Sequence, residues 1–175
     1  MTAAALVWPA SIHWTRVQGD LLQQDVDALV DPWNRNVLPR LLLRPAGVSG
    51  QLKRVTGPQP WRELARKGRL PLGGACITGG GRLPRDLIQV AGLNLRWKAT
   101  LESVRQSVCS ALDAAWEAGY ASIALPLIGA GTGGLPAPEV EEAIAAVLDV
   151  YTASPGERGR ILQVTLVTPG VGRAA

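Results

Sequence analysis

The chain contains one histidine, His13, two cysteines, Cys76 and Cys109, one methionine and no phenylalanine among 175 residues. A single histidine excludes a zinc site built on several histidines, and leaves most histidine-dependent acid–base mechanisms without a base unless His13 serves. His13 falls inside an alternating apolar/polar stretch, so a structural role is expected. The cysteines are far apart, form no Cys-x-x-Cys pair and sit in apolar surroundings, which predicts buried small hydrophobes rather than a disulfide or metal pair. No apolar run approaches the roughly 20 residues of a membrane span. The first residues lack the positive region of a secretory signal. A cytoplasmic protein without a membrane partner is therefore expected. Also absent is a Gly-x-x-x-x-Gly-Lys-Ser/Thr loop, which excludes a P-loop nucleotide hydrolase.

Hydrophobic residues make up 47% of the chain, enough for one compact domain over 1–175, with its core over about 12–168. The net charge is +4. It is uneven, because Arg35, Arg40, Arg44, Lys53, Arg54, Arg62, Arg66, Lys67 and Arg69 face a single acid, Glu63, across that stretch. Either a solvated helical surface or attraction for a phosphate-bearing ligand or polymer accounts for it.

Apolar patterning predicts strands at 12–17, 27–31, 75–78, 86–91, 122–128 and 161–167, and helices at 48–55, 60–67, 99–118 and 139–151. Pro32 is expected to stop the second strand. The stretch 33–46, broken by Pro39 and Pro45, is long for a loop in a compact domain, a length that often serves function. Strands alternating with helices in the second half predict a three-layer α/β/α sandwich around a mixed, mostly parallel sheet.

The richest motif is Ile123–Pro138, an apolar run, a loop with glycines at 129, 131, 133 and 134, then prolines opening a helix. Such loops let backbone N–H groups approach an anion at a helix N-terminus. Gly129-Ala130-Gly131-Thr132-Gly133-Gly134 also matches Gly-x-Gly-x-x-Gly. A dinucleotide site is disfavoured by context, since the motif lies late in the chain and the next strand ends in Thr168-Pro169, with no acid for a ribose diol.

Five segments in order resemble the macro domain, whose ligand is ADP-ribose. Gly19-Asp20-Leu21 is similar to that family's Gly-Asp-Ile. Asp27-Ala-Leu-Val-Asp-Pro-Trp-Asn34 is similar to its Asp-Ala-Ile-Val-Asn-Ala-Ala-Asn. Segment 47–57 resembles its Gly-Val-Asp-Gly helix opening, 74–84 its Gly-Glu-Ala-x-Ile-Thr strand, and 123–136 its Ile-Ala-Phe-Pro-x-Ile-Ser-Thr-Gly loop. The resemblance spans about residues 14–167. It implies that Asp20, beside Leu21, accepts from the adenine amino group. It implies a diphosphate between Gly47-Val48-Ser49-Gly50 and a second loop of Pro126 and Gly129, Ala130, Gly131, Thr132, Gly133, Gly134 and Leu135. Asn34 is implied for the distal ribose. No cofactor or metal is implied, and a monomer is expected.

Departures from the family pattern bear on catalysis. One hydrolase branch carries an aspartate where this chain has Ser49, and the family's first asparagine is Asp31 here. A second branch uses a lysine with an aspartate in the second loop, where this chain has Gly133 and no acid. Gly133 also replaces a common aromatic, which predicts a more open pocket on that side. Trp33 is then either a substitute aromatic wall or a packing residue. Asp31 is a candidate for orienting a water near the distal ribose, or a backbone cap. Binding of ADP-ribose, as a reader of ADP-ribosylation or of free metabolites, is the expectation. Hydrolysis of mono-ADP-ribose or deacetylation of O-acetyl-ADP-ribose is the first alternative. Binding of poly-ADP-ribose or nucleic acid through the basic 35–69 stretch is the second.

Overall fold

The computed structural model describes residues 11–35, 47–153 and 160–170. Six strands form one sheet: β1 (Ser11–Gln18), β2 (Ala28–Asn34), β3 (Ala75–Thr78), β4 (Asp86–Leu93), β5 (Ser122–Pro126) and β6 (Ile161–Thr168). Their spatial order is β1-β6-β5-β2-β4-β3. Every pairing is parallel except β3 with β4. The four described helices are α1 (Gly47–Thr56), α2 (Gln59–Lys67), α3 (Leu101–Glu117) and α4 (Ala137–Ala153). None is long and apolar enough to cross a membrane.

Strand alternation divides the core into two layers, because successive side chains point to opposite faces. Leu29, Leu87 and Ala124 pack with Leu52 of α1 and Trp61 and Leu64 of α2. Val30, Ile88, Ile123 and Leu125 pack with Val104, Val108 and Leu112 of α3 and Val140, Ile144 and Leu148 of α4. The predicted three-layer sandwich is therefore observed. Both faces of the central strands are covered, which is why they read as continuous apolar runs rather than alternating ones.

The second strand does not stop at Pro32. β2 runs on to Asn34 beside β4, with an irregularity between Trp33 and Asn34. Its pairing with β5, by contrast, is confined to Ala28 and Leu29. Beyond Leu29 the strand has a partner on one side only, so a residue without an N–H interrupts no second ladder. The fifth strand is correspondingly shorter than expected and ends at Pro126, with Ile128 still buried in the turn that follows.

Two other expectations are refined. His13 is exposed, with Nδ1 3.0 Å from Gln163 Oε1 across the β1–β6 pair. The cysteines are half-buried rather than fully buried, and burial pushes both thiols above their usual range. The stretch 36–46, with Arg40 and Arg44, lies outside the described residues, as do the 154–159 loop and the tail beyond Gly170.

Candidate functional site

Five of the six strands run the same way, so their carboxyl ends share one edge of the sheet. Asp20, Asn34, the loop after β5 and the turn after β4 all lie along that edge. β2 and β5 are neighbours there, yet their chains leave in opposite directions. From β2 the chain passes to α1 and α2 on one face, whereas from β5 it passes to α4 on the other. Adjacent parallel strands whose connections diverge leave a crevice between the layers, the usual ligand position in open α/β sheets. The loss of β2–β5 pairing after Leu29 marks where the crevice begins.

The loop after β5 is folded on itself. Ala130 N donates to Leu127 O, Gly134 N to Gly131 O, and Leu135 N to Gly129 O, at 3.2, 3.0 and 3.1 Å. Gly129 and Gly134 hold φ of 89° and 78°, a region costly for residues with a Cβ. The N–H groups of Gly131, Thr132 and Gly133 are left without a partner among the described residues. Three successive unpaired N–H groups are donors for an anion. Leu135 and Ala130 pack against the α3/α4 side of the core and tether the loop there.

Gly133 corrects the expectation of an open flank. It is buried, and a Cβ on it would lie 2.5 Å from Gly129 O and 2.7 Å from Ala99 Cβ. Ala99 N also donates to Gly133 O at 3.1 Å. The position is filled by close backbone packing, and glycine is there because nothing larger fits.

On the other side, Gly47 opens α1 at φ 58°, and the first turn has no acidic residue. The N–H groups of that turn lack intrahelical acceptors, and the helix dipole adds partial positive charge. Gly50 is buried and Val48 packs against the α1/α2 core. Ser49 Oγ donates to Asp31 Oδ1 at 2.5 Å, with Pro32 O a second acceptor at 3.2 Å. Asp31 is fully buried on β2, and burial raises its pKa to about 7 even though the Ser49 hydrogen bond pulls it down. Its Oδ2 is buried without a partner, as is Oε1 of Gln89, its register neighbour on β4. Two buried acceptors on adjacent strands favour a proton on the carboxyl. The pair fastens the first turn of α1 to the end of β2.

Asp20 caps a 3-10 turn, Leu21–Gln23, and its Oδ1 accepts from Leu22 N at 2.9 Å. Leu21 is buried in the α1/α2 core, so the turn is anchored and the partly exposed carboxylate is held at the carboxyl edge. Asn34 is buried at the end of β2. Trp33 is a packing residue: it is buried and tilted against Trp61, ring centroids 4.8 Å apart, so it does not line a pocket.

The basic stretch is partly explained by the fold. Lys53 and Arg54 end α1 and Arg66 and Lys67 end α2, where cations favour the helix dipole. Arg35 Nε donates to Leu70 O, and Lys53 Nζ lies 5.9 Å over the Trp61 ring. At the opposite edge of the sheet an acidic cleft includes Asp27, Asp86 and Tyr120. Asp27 there accepts from Ala121 N and Ser122 N, and Tyr120 donates to Asp86, whereas Nε and Nη1 of Arg85, which also lines the cleft, are buried without a partner among the described residues. Sequence reasoning missed the turn between β4 and α3, Asn94–Lys98, whose Trp97 is exposed. Its signal was present, an Asn followed by an apolar and basic alternation, but without a period to flag it.

Fold and loops together define a three-layer α/β domain with an anion-receptive crevice at the carboxyl edge of its sheet. The family model described as "Macro domain" matches residues 30–144, more than half of the sequence. The chain belongs to the Macro domain family. It is 36% identical over 136 residues to an uncharacterized protein of Aeropyrum pernix, covering 73% of this chain and 67% of that one. It is 33% identical over 144 residues to the O-acetyl-ADP-ribose deacetylase of Escherichia fergusonii, covering 78% of each. Among solved structures, the Trypanosoma brucei macrodomain in complex with ADP-ribose superposes with a TM-score of 0.76 at 23% identity, over 89% of this chain and 63% of that one.

Proposed function

We propose that this chain binds ADP-ribose in the crevice between β2 and β5, as a reader of ADP-ribosylation or a binder of free ADP-ribose metabolites. The adenine lies against Asp20 and Leu21. The diphosphate lies between Gly47–Gly50 and Gly129–Leu135, beside Pro126, and the distal ribose reaches Asn34. The observation that carries this reading is the set of three unpaired N–H groups, Gly131 to Gly133, at the end of β5, where the β2–β5 pairing has ended. Membership of the Macro domain family supports it, as do the ADP-ribose complex and the deacetylase name among similar proteins.

Binding is favoured over catalysis by the chemistry of α1. Ser49 is no acid or base near neutral pH, and the adjacent carboxyl, Asp31, is fully buried and half protonated near pH 7. A general base must reach the proton it removes. A cytoplasmic, monomeric protein fits this role. Calorimetry with ADP-ribose, ADP, NAD and a short RNA tests it. Saturable 1:1 heat with ADP-ribose is expected, and no heat at millimolar ADP-ribose overturns the reading. Release of ADP-ribose from modified protein or DNA above the uncatalysed rate would make the protein a hydrolase instead.

A further inference from the structure

One buried acid plays no part in holding ADP-ribose. Asp31 is fully buried on β2, on the side to which Leu29 of the same strand points, under α1 and α2. Ser49 Oγ donates to its Oδ1 at 2.5 Å, and its Oδ2 has no partner among the described residues. The register partner of Asp31 on β4 is Gln89, also fully buried and on the same side as Leu87 of that layer. Gln89 Nε2 donates to Thr78 Oγ1 at 3.4 Å, and Gln89 Oε1 is buried without a partner. Two orphaned oxygens on paired residues lack a hydrogen between them. A proton on Asp31 Oδ2 supplies it. The carboxyl then donates to Gln89 Oε1, and a chain of hydrogen bonds runs from α1 through β2 and β4 to β3.

No charge among the described residues offsets the carboxyl. Lys53 of α1 lies over the Trp61 ring, and Arg54 is exposed at the end of that helix. On α2, Glu63 accepts from Gly79 N and Gln59, while Arg62, Arg66 and Lys67 are exposed. Asp86 of β4 is bonded to Tyr120 at the opposite edge, and β5 carries no ionisable side chain. Cys76, opposite Gln89 on β3, is a half-buried thiol. Burial, opposed by the Ser49 bond, holds the Asp31 pKa at about 7. A turned-over Gln89 amide would donate to an ionised Asp31 instead, but would leave a negative charge in the core without a counter-charge.

We propose that ADP-ribose binding is linked to this proton: the crevice holds the ligand most tightly when Asp31 is protonated and loses affinity as the carboxyl ionises. The path is short. Ser49 belongs to the first turn of α1, whose N–H groups meet the diphosphate under the proposed function, and it touches Asp31 directly. An ionised carboxylate behind that turn repels the diphosphate and competes with it for the positive end of the helix dipole, whereas the neutral acid does neither. Asp31 is thus a positioning residue that acts through Ser49 and α1. The bound anion in turn favours the protonated acid, so binding draws a proton in. Uptake is greatest just above neutral pH and vanishes well below and well above it. This inference rests on the ADP-ribose reading and adds a control on the same site.

The test is calorimetry of the full chain with ADP-ribose across neutral pH, in Tris and in HEPES, whose ionisation heats differ. Affinity is expected to fall about three- to tenfold between roughly pH 6 and pH 9, the effect of one carboxylate facing a diphosphate. The buffer difference should report about 0.3–0.5 proton taken up per ligand near neutrality. Asp31→Asn keeps an acceptor for Ser49 and should bind with a pH-independent affinity and the same heat in both buffers. His13, the single histidine, is intact in that variant. A dependence that persists in Asp31→Asn therefore arises elsewhere and overturns the proposal, as does a flat profile in the wild type. If the variant does not fold, the carboxyl carbon resonance of Asp31 is followed against pH in the wild type. A midpoint that rises on adding ADP-ribose supports the linkage, and one that stays put, or a carboxyl ionised throughout, overturns it. Binding that is saturable yet independent of pH leaves the ADP-ribose reading standing, whereas no binding at any pH overturns both.

Discussion

Ser49 and Asp31, eighteen positions apart, share a 2.5 Å hydrogen bond that joins the first turn of α1 to β2. One hydrolase branch of the family pattern carries an acid at the first position, and the family pattern has an amide at the second. Here the acid sits on the strand and a hydroxyl on the helix. The carboxyl group has in effect changed sides of one contact, from the helix turn at the crevice to a fully buried strand position. Two substitutions that look unrelated in the sequence are one rearrangement in space.

A pH dependence follows from the buried acid. Burial pushes the pKa of Asp31 in the folded chain up to about 7, from an ordinary aspartate value of 3.8. Between these values the folded chain holds a proton that the unfolded chain has released. Stability contributed by this group is therefore complete below about pH 4, declines as pH rises and is lost above about pH 7. The slope reaches about 1.4 kcal/mol per pH unit at most. Asp31→Asn keeps an acceptor for Ser49 and removes the titration. Urea unfolding at a series of pH values should show this part of the slope vanish and the variant gain stability at pH 8. An unaltered slope in Asp31→Asn would refute the assignment.

Returning the acid to the helix should fail unless the strand changes with it. Ser49→Asp places a second carboxyl against a buried one, and two such groups cannot both ionise. A loss of about 3 kcal/mol or more is expected. Adding Asp31→Asn should recover at least half of it, a coupling that a double-mutant cycle by thermal or urea unfolding measures directly. Simple additivity of the two changes would show that the residues do not interact as described.

The glycines of the second loop are not equivalent. A Cβ at Gly133 meets Gly129 O and Ala99, while at Gly131 it meets nothing within 4 Å. Gly133→Ala should cost about 1–3 kcal/mol and weaken ADP-ribose binding by distorting the loop. Gly131→Ala should leave stability within about 0.5 kcal/mol of the wild type. Comparing the two melting curves separates packing from loop composition.

Asp20 has two tasks. Its Oδ1 caps the turn through Leu22 N, and under the proposed function its carboxylate also accepts from the adenine amino group. Asp20→Ala should lower affinity for ADP-ribose by about tenfold, the effect of one lost hydrogen bond to a charged group. The inosine analogue, whose base carries a carbonyl in place of the amino group, should bind the variant and the wild type alike. Calorimetry with both ligands discriminates the roles. An equal loss for both would reduce Asp20 to its cap.

Much of the architecture was legible because local patterns were strong. The apolar 86–91 and 122–128 runs, and the Leu101–Ala115 spacing ended by Gly119, require only neighbouring residues to interpret. Pro32 misled because its effect depends on whether a second strand lies beside it, and the early parting of β5 is a tertiary fact. Gly133 misled for a similar reason: a missing side chain reads as space, but Ala99, from a distant segment, closes it. The Ser49–Asp31 bond is invisible in the sequence because the two residues stand eighteen positions apart, on different elements whose packing alone brings them together. Trp97 carries no periodic signal, and its exposure depends on backbone geometry that Asn94 sets.

The pairing of β1 with β6 sets an order of events during synthesis. His13 and Gln163 face each other across 150 positions of chain. At roughly 5–20 residues per second, the first strand waits on the order of 8–30 s for β6, its one partner among the described residues. Throughout that interval it lacks its partner, and once β5 has been made its flank also stays open until β6 inserts between the two. The exposed Thr15, Arg16 and Gln18 of β1, with Arg16 ion-paired to Glu141 in the finished fold, give that waiting strand polar and charged positions that oppose pairing with another nascent chain.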